Sequence, residues 1–320
     1  MTTAATAPVV LLPYPAESIP GLPAELEAHV FDNTSCDGRP GPPPAELLAR
    51  TDFLVVPYSY LHPGSVLPLL PAMPRLRVVQ TQTAGVDDIL PHIPAGVTLC
   101  NARGVHDAST AELALTLTLA ALRDVPRFVR GQDAEQWQAG FYPALADRTV
   151  LIVGYGAVGA AIEERLRPFE CEVLRVARTA RSAPHGPVHS LAELPELLPA
   201  ADVVILAVPL SDATRGLVDA GFLAALPDGA LLVNVARGPV VDTGALLAEL
   251  TAGRLRAALD VTDPEPLPAG HPLWHAPGVL ITPHVGGSSS AFLPRSRRLI
   301  AAQLSRFVKG EPLENVIIAG

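Results

Sequence analysis

Four side chains in the second half of the chain have the types and places to do acid–base chemistry on a small anion. Arg237 follows the apolar run in "LLVNVARG", Asp260 ends "AALDV", His284 follows "VLITP", and Glu265 stands between the last two in "DVTDPEPLP". Each alone reads as an ordinary loop residue, an ion pair for Arg237 or Asp260 and a hydrogen-bonded corner for His284. Together they offer a forked cation for a carboxylate, a group that titrates near neutrality, and a carboxylate able to tune it.

Upstream, "VLIVGYGAVGAAI" sets Gly154, Gly156 and Gly159 in G-x-G-x-x-G order between a strand and a helix. The first glycine permits a tight turn, the second lets backbone approach a pyrophosphate, and the third allows the helix to pack closely on the strand. Glycine turns without ligands are common, and the surrounding α/β series is what makes the dinucleotide reading the better one. Tyr155, Ala157 and Val158 complete the turn as cofactor-contacting positions. A dinucleotide site and a cation, acid–base and carboxylate on one rim are what hydride transfer to a 2-keto acid requires.

About 20 residues past such a turn a carboxylate normally holds the ribose hydroxyls of NAD. Here "CEVLRVARTARS" ends its strand in Ala177, followed by Arg178, Thr179 and Arg181. Ala177 removes the charge that would repel a 2′-phosphate, Arg178 can pair with one, Thr179 can donate to it, and Arg181 can add charge or stand solvated in a loop. The missing acid beside an arginine favours NADP(H) over NAD(H).

The elements that must position these residues are also legible. In the first hundred residues, strand-like runs "PVVLL", "DFLVVPYS", "LRVVQTQ" and "VTLC" alternate with helical stretches "AELEAHVF" and "PAELLAR". The proline-rich "GRPGPPPAE" reads as a surface connection. A second series follows: "TVLIVG", "CEVLRVA", "DVVILAVP", "ALLVNVA", "AALDV" and "GVLITP". Alternation of this kind means βαβ units and parallel sheets covered on both faces. The fold class is therefore α/β, with two Rossmann-like, doubly wound parallel-sheet domains and a ligand cleft between them. The spacing predicts an apolar helix over 109–122 with Ser109 and Glu112 as a capping box. It also predicts Gly253 as a helix C-cap, and a terminal helix interrupted early by Pro294.

The chain has 320 residues, 49% apolar and 17% charged, which is room for two sizeable cores. A net charge of −9 argues against nucleic acid or an anionic membrane as a partner. Cys36, Cys100 and Cys171 are scattered with no C-x-x-C pair, so neither a disulfide framework nor a thiolate metal site is expected, and a reducing cytoplasm is the simplest compartment. The N-terminus lacks a signal peptide's basic region, and no uncharged run is long enough for a membrane span.

In the order and spacing of its motifs the sequence resembles the D-2-hydroxyacid dehydrogenases. The resemblance rests on "TAGVD" (83–87), "VGYGAVG" (153–159), "AVPLSDATRGL" (207–217), "NVARG" (234–238), "ALDVTDPEP" (258–266) and "TPHVGGSS" (282–289). It implies that Arg237 clamps the substrate carboxylate and polarises its carbonyl, His284 donates the proton, and Glu265 hydrogen-bonds His284 and favours its protonated form. Backbone N–H groups at Ala84 and Gly85 would bind the substrate carboxylate, with Tyr58 and neighbours Tyr60, Leu61 and His62 near the substrate's C3 side. Asp260 would hold the nicotinamide carboxamide. Val208, Pro209, Thr214, Val235, Ala236 and Gly286 would line the cofactor site.

The resemblance also implies a discontinuous, flavodoxin-like substrate-binding domain, residues 1–101 plus 288–320, around a dinucleotide-binding Rossmann domain, residues 102–287, with hinges near Asn101 and Gly286. It implies a homodimer through the cofactor domain and a small substrate of the glyoxylate or hydroxypyruvate type. Thr262 stands where the family often has a larger apolar residue. Glu265 argues against formate, and Lys309, the only lysine, is poorly placed for phosphite. The short tail after the last helix leaves no room for the regulatory domain of some phosphoglycerate dehydrogenases. A non-catalytic dinucleotide sensor, like the corepressors of this fold, is the competing class.

Overall fold

A computed structural model describes residues 7–31, 43–58 and 66–320. By internal contacts the chain divides into a unit that ends at His106 and resumes over Ser290–Gly320, and a contiguous unit over Asp107–Ser289.

The first unit begins with strands β1 (Val9–Leu12) and β2 (Glu27–Val30), helix α1 (Ala45–Arg50), and strands β3 (Thr51–Val55), β4 (Val78–Gln80) and β5 (Thr98–Cys100). All pair in parallel in the order β5-β4-β3-β1-β2. The β1 and β3 runs "VVLL" and "TDFLV" are buried along their whole length, as strands covered on both faces must be. "AELEAHVF" contributes the edge strand β2 and not a helix. Its four strand residues take β1's only open edge, with Glu27 to Val30 in register with Val9 to Leu12, so tertiary pairing overrides the helical propensity of Ala, Glu and Leu.

The second unit starts with α2 (Asp107–Leu122) and α3 (Val125–Asp133), then β6 (Thr149–Val153), α4 (Ala157–Leu166), β7 (Glu172–Ala177), β8 (Arg181–Ala183) and β9 (Gly186–Ser190). It continues through α5 (Leu194–Leu197), β10 (Val203–Leu206), α6 (Ala220–Ala224), β11 (Leu231–Asn234), α7 (Thr243–Thr251), β12 (Arg256–Leu259) and β13 (Val279–Ile281). The sheet order is β13-β12-β11-β10-β6-β7-β9-β8, parallel except for the edge strand β8. The order reverses at β6, whose neighbours are β7 and β10, which is where ligands of open α/β sheets bind.

Helix α2 starts two residues earlier than the capping-box reading, so Ser109 lies inside it. Its hydroxyl meets that of Ser289 at 2.6 Å, while Glu112 pairs with Arg165. Gly253 sits at φ +69° just past α7, the left-handed position that ends a helix at no steric cost.

The first unit is completed by α8 (Phe292–Lys309) and strand β14 (Val316–Ile318), which pairs antiparallel with β5. Pro294 does not interrupt α8. It falls in the first turn, where no intrahelical N–H is needed. The helix returns to the sheet through Ile300, Ala301 and Leu304, which pack with Phe53, Val55, Val78 and Cys100. Buried Gln303 donates to the Gln80 side chain at 2.8 Å. No helix among the described residues is long and apolar enough to cross a membrane.

Candidate active site

The three glycines divide their work by what stands around them. A Cβ on Gly154, at φ +109°, would lie 2.4 Å from the Ala207 carbonyl carbon, and one on Gly159 would lie 2.4 Å from the Gly154 oxygen. Both positions are closed to any side chain by neighbouring backbone. A Cβ on Gly156 would meet nothing within 4 Å, so the middle glycine faces open space at the start of α4, a helix end whose free N–H groups suit an anion. Ala157 and Val158 open that helix, half-buried.

Tyr155, between the first two glycines, turns its ring inward and is buried. Its hydroxyl donates to the Glu163 carboxylate on α4, and Arg175 of β7 grips the same carboxylate in a fork, with Nε to Oε2 at 2.9 Å and Nη2 to Oε1. Burial works against the Glu163 carboxylate, but hydrogen bonds from Arg175 and Tyr155 outweigh it and hold its pKa below the ordinary range. Burial first, and then Glu163, push the Tyr155 phenol up to about 12. Neither Glu163 nor Arg175 belongs to a recognisable motif; an Arg in the middle of the strand "EVLRVA" is the one sequence signal that something buried must pair with it.

Past β7, Arg178 and Thr179 are exposed. Arg181 is not merely a solvated loop residue: its Nη2 donates to the Tyr155 carbonyl, 26 positions back in the glycine turn. After β10, Val208 is buried and Pro209 exposed, while the Thr214 hydroxyl donates to the Pro209 carbonyl at 2.6 Å and accepts from Ser211 N–H at 2.9 Å. Thr214, expected to line the cofactor site, thus also shapes the loop after β10.

The acid–base residues sit in loops beyond β11, β12 and β13. His284 Nδ1 meets Glu265 Oε1 at 2.5 Å, and both side chains are about one-third exposed, at 38% and 36%. The His284 backbone is left-handed at φ +52°, a conformation that costs a side-chain-bearing residue on the order of 1–3 kcal/mol and survives where surroundings impose it. Asp260 imposes it. Its carbonyl accepts His284 N–H at 2.7 Å, and its carboxylate accepts from Val285 N–H (2.9 Å), Gly286 N–H (2.9 Å) and the Thr282 hydroxyl (2.6 Å). Gly286 leaves that bond uncrowded, since a Cβ there would stand 3.0 Å from Asp260 Oδ2.

Asn234 does the same for Arg237. It accepts Ala236 N–H at 3.0 Å and donates to the Arg237 carbonyl at 3.0 Å, with Val235 half-buried and Ala236 buried between them. Arg237 Nη1 donates to the Ala236 carbonyl at 2.8 Å, which fixes one edge of its fork. A Cβ on the next residue, Gly238, would lie 1.8 Å from the Thr262 oxygen, so the Arg237 loop rests directly on the loop that carries Glu265. Thr262, the departure noted above, uses its hydroxyl to tie that loop to the Pro264 carbonyl at 2.9 Å.

In the other unit, the carbonyls of Thr83, Ala84 and Gly85 accept from Ala102 N–H, Asn101 Nδ2 and the Thr83 hydroxyl at 2.7–2.8 Å. Protein donors thus hold one side of this turn's peptides. The ring of Tyr58 stacks against His106 and Phe292, at centroid distances of 5.4 and 4.2 Å. Tyr60, Leu61 and His62 lie outside the described residues.

A sheet that reverses order at a glycine-rich turn, with an arginine and a histidine–glutamate pair in its loops, defines a nicotinamide-dependent oxidoreductase. More narrowly, the chain belongs to the D-isomer specific 2-hydroxyacid dehydrogenase family, which acts on the CH–OH group of 2-hydroxyacids, and residues 115–286 match that family's NAD binding domain. It is 34% identical to a glyoxylate reductase of Thermofilum pendens over 76% of this chain and 75% of that protein. A family member from Aeromonas salmonicida has a solved structure similar to this one with TM-score 0.85 and 29% identity, over 99% of this chain and 100% of that one. A Sinorhizobium meliloti NADPH-dependent glyoxylate/hydroxypyruvate reductase, solved with NADP and sulfate, gives TM-score 0.79 and 27% identity over 97% and 98%.

Proposed function

We propose that the chain reduces a small 2-keto acid, of the glyoxylate or hydroxypyruvate type, to the D-2-hydroxy acid, using NADPH in preference to NADH. The observation that carries this reading is the His284–Glu265 pair, held at 2.5 Å on a turn organised by Asp260. When bound, the reduced nicotinamide supplies the hydride. Because Glu265 meets Nδ1, proton exchange with the substrate's carbonyl oxygen falls to Nε2, and the carboxylate stabilises the imidazolium that gives the proton up. Arg237 offers a planar fork to the substrate carboxylate, which orients the carbonyl and neutralises charge.

The glycine turn fits a pyrophosphate, since the space at Gly156 is what a side chain would fill. Asp260 retains a further role: a carboxylate has about four acceptor positions, and one of those on Oδ2 suits the nicotinamide carboxamide. Gly286, Val208, Pro209, Val235 and Ala236 would line the same site. The unit ending at His106 and resuming at Ser290 is taken as the substrate-binding domain, with the Ala84–Gly85 peptides for the carboxylate and Tyr58 beside them. NADPH is supported by Ala177, Arg178, Thr179 and Arg181, and by the cofactor of the Sinorhizobium neighbour. The substrate class is supported by the names of that protein and of the Thermofilum relative. We further place the protein in the cytoplasm as a homodimer.

The test is steady-state turnover of a panel of 2-keto acids with NADPH and NADH. Glyoxylate or hydroxypyruvate with NADPH is expected to give the highest kcat/KM, and His284→Ala to lower kcat by roughly 100-fold or more, the usual worth of a general acid. Dinucleotide binding without turnover of any keto acid would overturn the reading in favour of a sensor.

A further inference from the structure

We propose that Tyr155, Glu163 and Arg175 are positioning residues that hold Arg181 as the principal ligand of the cofactor's adenosine 2′-phosphate. The inference rests on the NADPH reading above and names the machinery behind it.

The glycine turn has no need of a phenol at position 155, because its contacts with a pyrophosphate are made by backbone. The phenol is nevertheless buried and anchored, donating to a carboxylate that Arg175 grips with two N–H groups. Arg175 spends a third donor on the Val173 carbonyl at 2.9 Å. This ion pair lies in a layer otherwise built from residues such as Ile162, Leu166 and Val188. A buried ion pair is at best about even in stability with apolar residues of the same shape. What it does supply is a single position for Tyr155.

That position matters because the other end of Tyr155, its carbonyl, is where Arg181 is fastened. The bond uses one of the five N–H donors of the guanidinium and sets the rest beside the glycine turn. Arg178 and Arg181 are both exposed, so what sets Arg181 apart is its bond to the glycine turn. The hairpin that carries Arg181 is tied to α4 at its tip, one residue along from Glu163. His185 meets Glu164 of α4 at 2.5 Å, and Gly186 lies so close to Arg175 that a Cβ would approach Nη1 to 3.0 Å. Arg175 therefore stands behind the turn that receives Arg181 and alongside the hairpin that presents it.

Calorimetric titration with adenosine 2′,5′-bisphosphate and with 5′-AMP tests this without reference to turnover. The wild type is expected to bind the bisphosphate about tenfold or more tighter than AMP, the worth of a charge-assisted contact. Arg181→Ala is expected to erase most of that difference. Tyr155→Phe, which keeps the ring and the buried ion pair, is expected to weaken the bisphosphate by about fivefold and AMP by less than twofold. The double variant should bind like Arg181→Ala alone, because both act through one guanidinium. Glu163→Gln leaves Arg175 without its carboxylate and threatens the fold, so Tyr155→Phe is the decisive variant. Equal losses on the two nucleotides, or additive losses in the double variant, would overturn the relay. A wild type that binds AMP as tightly as the bisphosphate would instead overturn the NADPH reading and this inference with it.

Discussion

Asp260 illustrates how a residue's type can be read from sequence while its main task cannot. Its place after an apolar strand marks it for the site, but four contacts from residues 282–286 make it the former of the His284 turn. The consequence is measurable. Asp260→Asn presents an NH2 group in place of one acceptor oxygen, so Val285 and Gly286 cannot both keep their partners, and His284 shifts relative to Glu265. A displacement of about 1 Å in an acid–base group costs up to about 100-fold in rate. Asp260→Asn is therefore expected to lower kcat by 10- to 100-fold in steady-state assays, and a kcat within threefold of wild type would remove Asp260 from this role. The pairing of Glu163 with Arg175 was illegible for a related reason, although a mid-strand arginine signals that some buried partner exists. Their value lies in a three-way contact among α4, β7 and the glycine turn, and no local spacing encodes a contact between separate elements.

At the scale of elements, strands and turns were the most legible part, because continuous apolar runs and glycine punctuation are local signals. β6, β7, β10, β11, β12 and β13 stand where the apolar runs place them. The misplaced or unread strands lie at the sheet margins: β2, β8 and β14 are edge strands, and β9 joins β8 to the sheet through two residue pairs with β7. An edge strand needs only a partner's open N–H and C=O groups, so its own sequence can be polar or helix-prone. Gly238 shows what such spacing conceals: its neighbour across the loop is the Thr262 carbonyl, too close for any Cβ. Gly238→Ala must therefore push the Arg237 and Glu265 loops apart. We expect the variant to lose at least tenfold in kcat/KM and to melt several degrees lower, by roughly the 1–3 kcal/mol of overpacking. Unchanged kinetics with unchanged Tm would show that the loops separate freely.

At the scale of the whole molecule, the most conspicuous surface belongs to the stretch after α3. Trp137 and Phe141 are fully exposed, at 97% and 107%, and Val125, Phe128 and Val129 are exposed beside them in sequence. Large exposed apolar side chains close together in sequence are what a contact between copies would bury, so the proposed homodimer can be tested at this stretch. Replacing Trp137 and Phe141 by serine is expected to convert a dimer into a monomer by light scattering. A dimer that survives the double change would place the interface elsewhere.

The interrupted first unit also sets an order of events during synthesis. The sheet face bearing Phe53, Val55 and Val78 is covered by Ile300, Ala301 and Leu304 of α8, yet roughly 190 residues separate Cys100 from Phe292. At 5–20 residues per second that face waits about 10–40 s for its helix, while the contiguous unit between them has all its strands in hand as soon as Ile281 has emerged. The later-made domain is thus the first able to close, and the nascent N-terminal sheet is the surface that a ribosome-bound chaperone would have to shield.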